Sequence, residues 1–505
     1  MTAAWRRAIL GLVLCTAAAC TGQAVTGSPG PSSTPPSPAP SGTSTTPPPS
    51  REPDRRPNIL IVLTDDQRAD TLGVMPQVRR IFGRGGIQYA NGFDTTPLCC
   101  PSRATIMTGR FPHDTGVLGN GDALKLDHDT TVQRYLHDAG YRTGMVGKFL
   151  NDWPVGTAPP NFDRWALFNS GYLGTTFDVD GRVRTVNEYS TTFIGDQAVR
   201  FLRDFSARPD RPWFLYVATS APHDPWIPDA TYANAPVPPF VKDPAMRETD
   251  TSDKPQWVRD SLHLTDEKIE LDRAQQLRTL MSVDDMVGRV YRTLRRLGQD
   301  RDTLAFFLSD NGFLWGEHGL AGARGEVETE PVRTLTGKRF PYLPSVRTPL
   351  LARWPGHFRP GRVVQTPVTT ADLAPTILDA AGVALPTDPP MDGHSLGTAG
   401  DAVIDADGTR EDRTGAYLEY HRDPIYPSVP SWSSIVSPSA QYVEWFGPDG
   451  KVIFREYYDL AADPFQLTNL LADGTATDDP DTRALDQQIA RGLTCSGTTG
   501  PTACP

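Results

Sequence analysis

The chain has 505 residues, 38% hydrophobic and 9% aromatic, with 49 basic and 60 acidic side chains and a formal net charge of −11. That is enough apolar material for a sizeable core and enough length for one large domain beside a smaller one. The acidic balance argues against nucleic acid or an anionic surface as a general partner, and leaves one small anion free to be held by local positive charge.

Arg6 and Arg7 precede the apolar run Ala8–Leu14 and the small residues Ala17, Ala18 and Ala19. This order reads as an export signal over residues 1–20, with an apolar run too short to span a bilayer. Small residues directly before Cys20 resemble a bacterial lipoprotein cleavage box. A cell-surface lipoprotein anchored at Cys20 is the expectation, and a freely secreted protein the alternative. Residues 21–56 are mostly Pro, Ser, Thr and Gly, cannot bury enough to order themselves, and read as an extended tether. A large domain is expected over 57–404 and a small α+β subdomain with a tail over 405–505.

The folded part opens on Asn58–Leu63, an apolar run without alternation, as in a strand buried on both faces of a parallel sheet. Asp65 and Asp66 follow closely. Ligands gather at the carboxyl ends of such strands, where paired aspartates suit a hard cation; alone, the pair reads as a solvated turn. A helix is expected over Pro76–Phe82 and a strand over Ile87–Phe93. Next comes Leu98-Cys99-Cys100-Pro101-Ser102-Arg103. Pro101 suits the first turn of a helix, which puts Cys99 just before a helix N-terminus where an anion is favoured. Arg103 returns to the same side about one turn later.

A helix over Val132–Asp138 and a strand over Arg142–Val146 follow, the strand leading into Gly147-Lys148. Phe193–Phe205 has helical apolar spacing, and Trp213–Ala218 is another buried strand, ahead of His223. Asp229–His263, rich in proline and charge, has the character of a functional rim. A long helix covers Glu267–Leu297, with Leu271, Leu277, Leu280, Met281 and Met286 expected inside. The strand Leu304–Leu308 delivers Asp310-Asn311, and Thr348–Ala352 and Ala371–Ala381 add a strand and a helix. Strands alternating with helices indicate an α/β sandwich. Beyond 405, Ala416–Tyr420, Gln441–Phe446 and Lys451–Tyr458 read as strands, with a hairpin turn at Pro448-Asp449-Gly450 and a closing helix over Ala484–Leu493. Cys495 and Cys504 lie close together and are expected to pair, as an oxidising compartment allows. That leaves Cys99 and Cys100 without distant partners, and adjacent cysteines bridge only with strain. Composition alone leaves a reactive and a structural role open for them.

Cys99-Cys100-Pro101-Ser102-Arg103, with Thr108-Gly109-Arg110 behind it, resembles the C-x-P-S-R…T-G-R signature of the type I sulfatases. The resemblance extends over about Pro57–Leu470 and includes Tyr458-Asp459-Leu460 with Asp463-Pro464. It implies an alkaline-phosphatase-like α/β fold with a central, mostly parallel sheet, a sulfatase catalytic domain over 57–404, and a small C-terminal antiparallel sheet. It implies that Cys99, not Cys100, is oxidised after synthesis to formylglycine (3-oxoalanine) by a maturation enzyme. Asp65, Asp66, Asp310 and Asn311 match the family's metal ligands, with Cys99 supplying a further oxygen; such a hard oxygen site suits Ca2+, or Mg2+. Arg103 matches the arginine that steadies the formylglycine, Lys148 and Lys338 the two sulfate-binding lysines, and His223 the histidine at the leaving-group oxygen.

One element departs from the common pattern. Many sulfatases read G-K-W-H where this chain has Gly147-Lys148-Phe149-Leu150-Asn151, so the second acid/base histidine is replaced by Leu150. His113 and His318 are the candidates to stand in. The G-K-F-L-N form, the paired cysteines and Met281-Ser282-Val283-Asp284-Asp285 look like the N-acetylglucosamine-6-sulfatase and extracellular heparan-sulfatase branch. The implied chemistry is intelligible: an aldehyde hydrate carries two hydroxyls on one carbon, one to attack sulfur and one to expel sulfate afterwards. The expected substrate is a carbohydrate or aryl sulfate ester. The rival readings are a phosphodiester or phosphonate monoester hydrolase, and a non-catalytic sulfoglycan-binding protein.

Overall fold

Every residue of β1 (Asn58–Thr64) is buried, and the strand pairs in parallel on both sides. The computed structural model that shows this describes residues 56–261, 263–321, 337–397, 413–477 and 479–505. The export signal, Cys20, nearly all of the tether and the expected boundary at 404/405 lie outside those residues. Glu52–Pro505 forms one compact unit. Among the described residues no helix is long and apolar enough to cross a membrane.

The further strands of the large unit are β2 (Ile87–Tyr89), β3 (Gly92–Phe93), β4 (Arg142–Lys148), β5 (Arg164–Phe168), β6 (Thr175–Val179), β7 (Arg182–Val186), β8 (Trp213–Ala218), β9 (Thr303–Ser309), β10 (Leu350–Arg353), β11 (Arg362–Val364) and β12 (Val368–Thr369). Nine of them join β1 in one ten-stranded sheet in the order β11-β2-β10-β9-β1-β8-β4-β5-β6-β7, and β3 pairs with β12 separately. The sheet is parallel from β9 through β5; β10 runs antiparallel to β9 and β2, β11 pairs in parallel with β2, and β6 and β7 continue antiparallel beyond β5. It is thus mixed, the alkaline-phosphatase-like arrangement with its parallel part in the middle.

The unbroken apolar run of β1 is explained by where its side chains go. Leu60 and Val62 join the core beneath the helices Ser190–Ser206 and Asp266–Arg296. Ile59, Ile61 and Leu63 join the opposite core, beneath Cys99–Thr108, Val132–Asp138 and Leu373–Ala380. Each such side chain contributes about 1.5–3 kcal/mol of burial, so both faces select against polar residues.

Several expectations shift in detail. The stretch expected as one strand over Ile87–Phe93 is split between two sheets. β4 runs on through Lys148, so Gly147-Lys148 ends the strand rather than following it. Gly147 adopts φ +105°, and a Cβ there would meet the Ala218 carbonyl; only glycine allows this approach. Leu271 is exposed rather than buried and Met281 is half-buried, whereas Leu277, Leu280 and Met286 are inside. Leu271 lies about half a turn around the helix from Leu280, so the two cannot face one core.

The C-terminal sheet is an antiparallel meander of β13 (Ala416–Tyr420), β14 (Ser431–Val436), β15 (Ala440–Phe446) and β16 (Val452–Asp459). One face packs Trp432, Trp445 and Tyr458 against Phe340, Tyr342 and Val346 of the large unit. The other packs Tyr417 and Tyr442 against Ile489 of the last helix, Arg483–Gly492. Cys495 and Cys504 form the expected disulfide, with Cα atoms 4.8 Å apart, and Cys99 and Cys100 are free.

His113 fastens this tail. Its Nδ1 lies 2.8 Å from Glu419 Oε2 and its Nε2 3.0 Å from the Cys495 carbonyl oxygen. Both ring nitrogens face acceptors, which the imidazolium alone satisfies. Burial pulls its pKa down, but the Glu419 hydrogen bond and charge outweigh that and raise it from 6.5 to about 9. A histidine with a raised folded-state pKa stabilises fully below its unfolded value and loses the effect as pH rises through the folded one. The thermal midpoint of the wild-type protein is therefore expected to exceed that of His113→Gln at pH 6, by an interaction of up to about 3 kcal/mol. The gap closes between pH 6.5 and about 9. A gap that stays flat or widens with pH rules this out.

Candidate active site

β1 and β9 run parallel with Thr64 beside Ser309, so the residues that follow each strand emerge side by side at its carboxyl end. Asp310 N–H donates to the Thr64 carbonyl (3.1 Å), carrying the pairing one residue further. Asp66 then takes a left-handed φ of +67°, which turns its N–H onto Asp310 Oδ1 (3.2 Å). Asn311 Nδ2 donates to Asp66 Oδ1 (2.7 Å) and to the Gly312 carbonyl. Two pairs of residues far apart in sequence thus form one acidic knot, fully or nearly fully buried.

The helix Cys99–Thr108 points its first turn at this knot. Leu98, extended at φ −149°, is the cap, so Cys99 is the first helical residue and not the residue before the helix. Pro101 still falls in the first turn, where a missing N–H costs nothing. Cys99 Sγ lies 3.4 Å from Asp65 Oδ1 and 4.0 Å from Asp66 Oδ1. Arg103, with no exposed surface, donates through Nε to Asp310 Oδ2 (2.8 Å) and through Nη1 to the Lys148 carbonyl (2.7 Å), with Nη2 3.4 Å from Asp65 Oδ2. Its direct partners are the carboxylates and the end of β4.

Two lysines close the site. Lys148, at the end of β4, donates to Asp65 Oδ2 (2.5 Å). Lys338 donates to Asp66 Oδ1 (2.5 Å) and to Cys99 Sγ (3.0 Å). His223 Nε2 lies 3.8 Å from Asp66 Oδ2, while its Nδ1 is tied to the Asp224 carbonyl (2.8 Å) and carboxylate (2.9 Å). One ligand-capable atom from each of Asp65, Asp66, Cys99 and His223 lies within 4.8 Å of the others. The nine residues expected to form the site, Asp65, Asp66, Cys99, Arg103, Lys148, His223, Asp310, Asn311 and Lys338, thus all converge.

The charges hold one another ionised. Burial pushes the Asp65 carboxyl up, but Lys148, His223, Arg103 and Lys338 outweigh it and hold it well below the usual range. Asp310 is pushed up to about 6 by burial and by Asp65, against Arg103 and Lys148. Burial opposes the charge on Lys148, Lys338 and His223, yet Asp65 raises the first and Asp66 chiefly raises the other two. The donor set also fits a hard cation. Asn311 Oδ1 is buried and accepts no hydrogen bond, with its amide orientation fixed through Nδ2. An orphaned amide oxygen beside three carboxylates suits Ca2+ or Mg2+.

His113 and His318 do not fill the position of the second histidine. Both nitrogens of His113 are engaged at the tail, and His318 Nδ1 is held by Glu248 Oε2 (2.6 Å), its ring against Tyr342. Leu150 itself is buried in the core. Asp224, which orients His223, and Asn120, whose Oδ1 accepts from Cys100 N–H (3.0 Å), carried no expectation. Adjacency to His223 was the one signal for Asp224; nothing local marks Asn120.

The profile of the sulfatase family matches residues 57–383. The chain belongs to the sulfatase family. The profile of the C-terminal part of N-sulphoglucosamine sulphohydrolase matches residues 333–492 of this sulfatase. Human N-acetylglucosamine-6-sulfatase is 30% identical over 500 residues, covering 88% of this chain and 86% of that protein. The extracellular sulfatase SULF-1 homolog of Drosophila melanogaster is 32% identical over 371 residues, and the match spans only 31% of that longer protein. Both branches that the sequence resembles are therefore among its relatives. A solved structure in complex with its substrate D-glucosamine-2-N,6-O-disulfate superposes with a TM-score of 0.72 at 25% identity, covering 87% of this chain and 97% of that one. As a member of this family the chain is a sulfuric ester hydrolase.

Proposed function

We propose that this sulfatase hydrolyses the 6-sulfate ester of a glucosamine-type sugar, through a formylglycine made from Cys99 and a divalent cation held by Asp65, Asp66, Asp310 and Asn311. The observation that carries the chemistry is the position of Cys99 Sγ, between Asp65 and Lys338 at the point where the charged side chains converge. In the unmodified chain that sulfur stands in for the hydroxyl oxygens of a hydrated aldehyde. Such a group supplies a nucleophilic hydroxyl and a second one that expels sulfate, and a bound cation supplies charge to favour the attack. Lys148 and Lys338 hold the sulfuryl oxygens as charge spreads over them. Arg103 fixes Asp310 and the end of β4, and so the direction of Lys148. His223, with Nδ1 tied to Asp224, keeps Nε2 on the Cys99 side to protonate the departing sugar oxygen.

The sugar assignment draws on the N-acetylglucosamine-6-sulfatases among the relatives, including one from Bacteroides thetaiotaomicron that is 26% identical over 499 residues, and on the glucosamine disulfate complex. Export and a lipid anchor at Cys20 belong to the same reading, as do a catalytic domain over 57–404 and a subdomain over 405–505. The test is a peptide mass spectrum across Cys99–Arg103 with turnover of glucosamine 6-sulfate, 4-nitrophenyl sulfate, a phosphate diester and a phosphonate monoester. Formylglycine at 99, and sulfate turnover that chelation removes and Ca2+ or Mg2+ restores, are expected. Preference for the phosphorus esters overturns the substrate class, and binding of sulfated glycans without turnover by correctly modified protein overturns catalysis.

A further inference from the structure

The loop between β13 and β14 reaches from the C-terminal sheet onto both flanks of Cys99. On one flank, Asp423 packs against the backbone of Gly119, where an added Cβ would come within 3.6 Å of its carboxyl group. Gly119 adjoins Asn120, whose side chain accepts from Cys100 N–H. On the other flank, the Tyr426 ring lies 3.4 Å from the guanidinium carbon of Arg339, next to Lys338, and Trp432 Nε1 donates to the Arg339 carbonyl (2.8 Å). The loop thus touches both segments that reach the reacting residue, Asp423 making the contact on the first side and Tyr426 on the second.

Asp423 is 1% exposed. Its Oδ1 accepts from Ile425 N–H (2.8 Å), which fixes the carboxylate plane, and its Oδ2 is buried with no hydrogen-bond partner. A buried carboxylate oxygen without a donor is costly and rare in folded proteins. Cys99 is buried to the same degree, so such burial is compatible with a place in the reaction pocket.

We propose that Asp423 Oδ2 accepts a hydrogen bond from a hydroxyl or amide N–H on the ring that carries the sulfate, and so selects a sugar over an aryl ester. The inference rests on the sugar-sulfatase reading above and extends it to one residue. 4-Nitrophenyl sulfate has no donor to offer and leaves the oxygen unpaired in the complex, where a site built for a donor discriminates strongly. A second sulfate at the same place on the ring meets a carboxylate and is repelled.

The test compares kcat/KM for glucosamine 6-sulfate with that for 4-nitrophenyl sulfate in the wild-type protein, Asp423→Asn and Asp423→Ala. The ratio of sugar to aryl ester is expected to fall at least tenfold in the alanine variant and by less in the asparagine variant, which keeps an acceptor oxygen. Deoxy analogues of the sugar ester, tried on the unaltered protein, are expected to lose a similar factor at the hydroxyl that meets Asp423. An unchanged ratio overturns the inference, including the case in which both rates collapse together because the loop is disturbed; so do deoxy analogues that all react like the parent sugar. A wild-type protein that turns over 4-nitrophenyl sulfate but no sugar sulfate overturns the sugar reading, and the role of Asp423 with it.

Discussion

Cys99→Ala is expected to lower turnover of a sulfate ester by roughly 10^4-fold or more, the scale seen when an enzyme loses its nucleophile. Its thermal midpoint is expected to stay within a few degrees of wild type, because a buried thiol replaced by a methyl leaves only a small void. No neighbour can stand in. Cys100 points into the core, where burial pushes its thiol up to about 12, and it keeps a proton at any pH the fold tolerates. Cys100→Ala is accordingly expected to retain turnover. Initial rates on 4-nitrophenyl sulfate, with calorimetry on the same samples, decide the matter. Retained turnover in Cys99→Ala would end the formylglycine mechanism, and loss of turnover in Cys100→Ala with Cys99 correctly converted would relocate it.

Asp310→Ala is expected to remove bound cation and activity together and to destabilise the fold by about 3–5 kcal/mol. The second effect is the larger departure from an ordinary site mutation. Arg103 has no exposed surface, and Asp310 holds its Nε. Removing the carboxylate leaves a guanidinium in the core with Asp65, at 3.4 Å, as its remaining anion. It also frees the N–H groups of Asp66 and Asn311, which both turn onto Asp310 Oδ1. Asp310→Asn separates the two consequences, since an amide oxygen still meets those N–H groups while the charge is gone. Elemental analysis per mole of protein reads the cation and urea unfolding reads the stability. Full activity of Asp310→Ala after exhaustive chelation would remove the metal assignment.

The middle of the sheet was legible because its strands are buried on both faces, and a run such as Asn58–Leu63 admits few other readings. The strands β5, β6 and β7, which run out to one edge, were not. Arg182–Val186 is exposed along most of its length and carries two arginines, so no apolar pattern marks it. β14 was hidden for another reason: Ser431, Ser433 and Ser434 break the alternation, and its apolar anchors, Trp432, Ile435 and Val436, do not alternate either. In the site, residues that follow buried strands were readable, since parallel pairing forces their ends together. The supporting residues come from loops and the start of a short helical turn, with no periodicity, and Asn120, Asp224 and Asp423 acquire meaning only through three-dimensional neighbours. His113 and His318 show the converse, plausible in chemistry yet held elsewhere by Glu419 and Glu248.

The burial of Cys99 also sets an order of events in the life of the chain. A side chain with no exposed surface is out of reach of any second protein once the fold has closed. The wall around it is built from Asp65, Lys148, His223 and Lys338, so closure waits until most of the chain has been made. On the formylglycine mechanism proposed above, conversion of Cys99 therefore has to be finished while the stretch around it is still an open segment. By that mechanism a molecule that folds first keeps its thiol and is locked out of activity until it unfolds, which makes the yield of active enzyme a race between oxidation and folding.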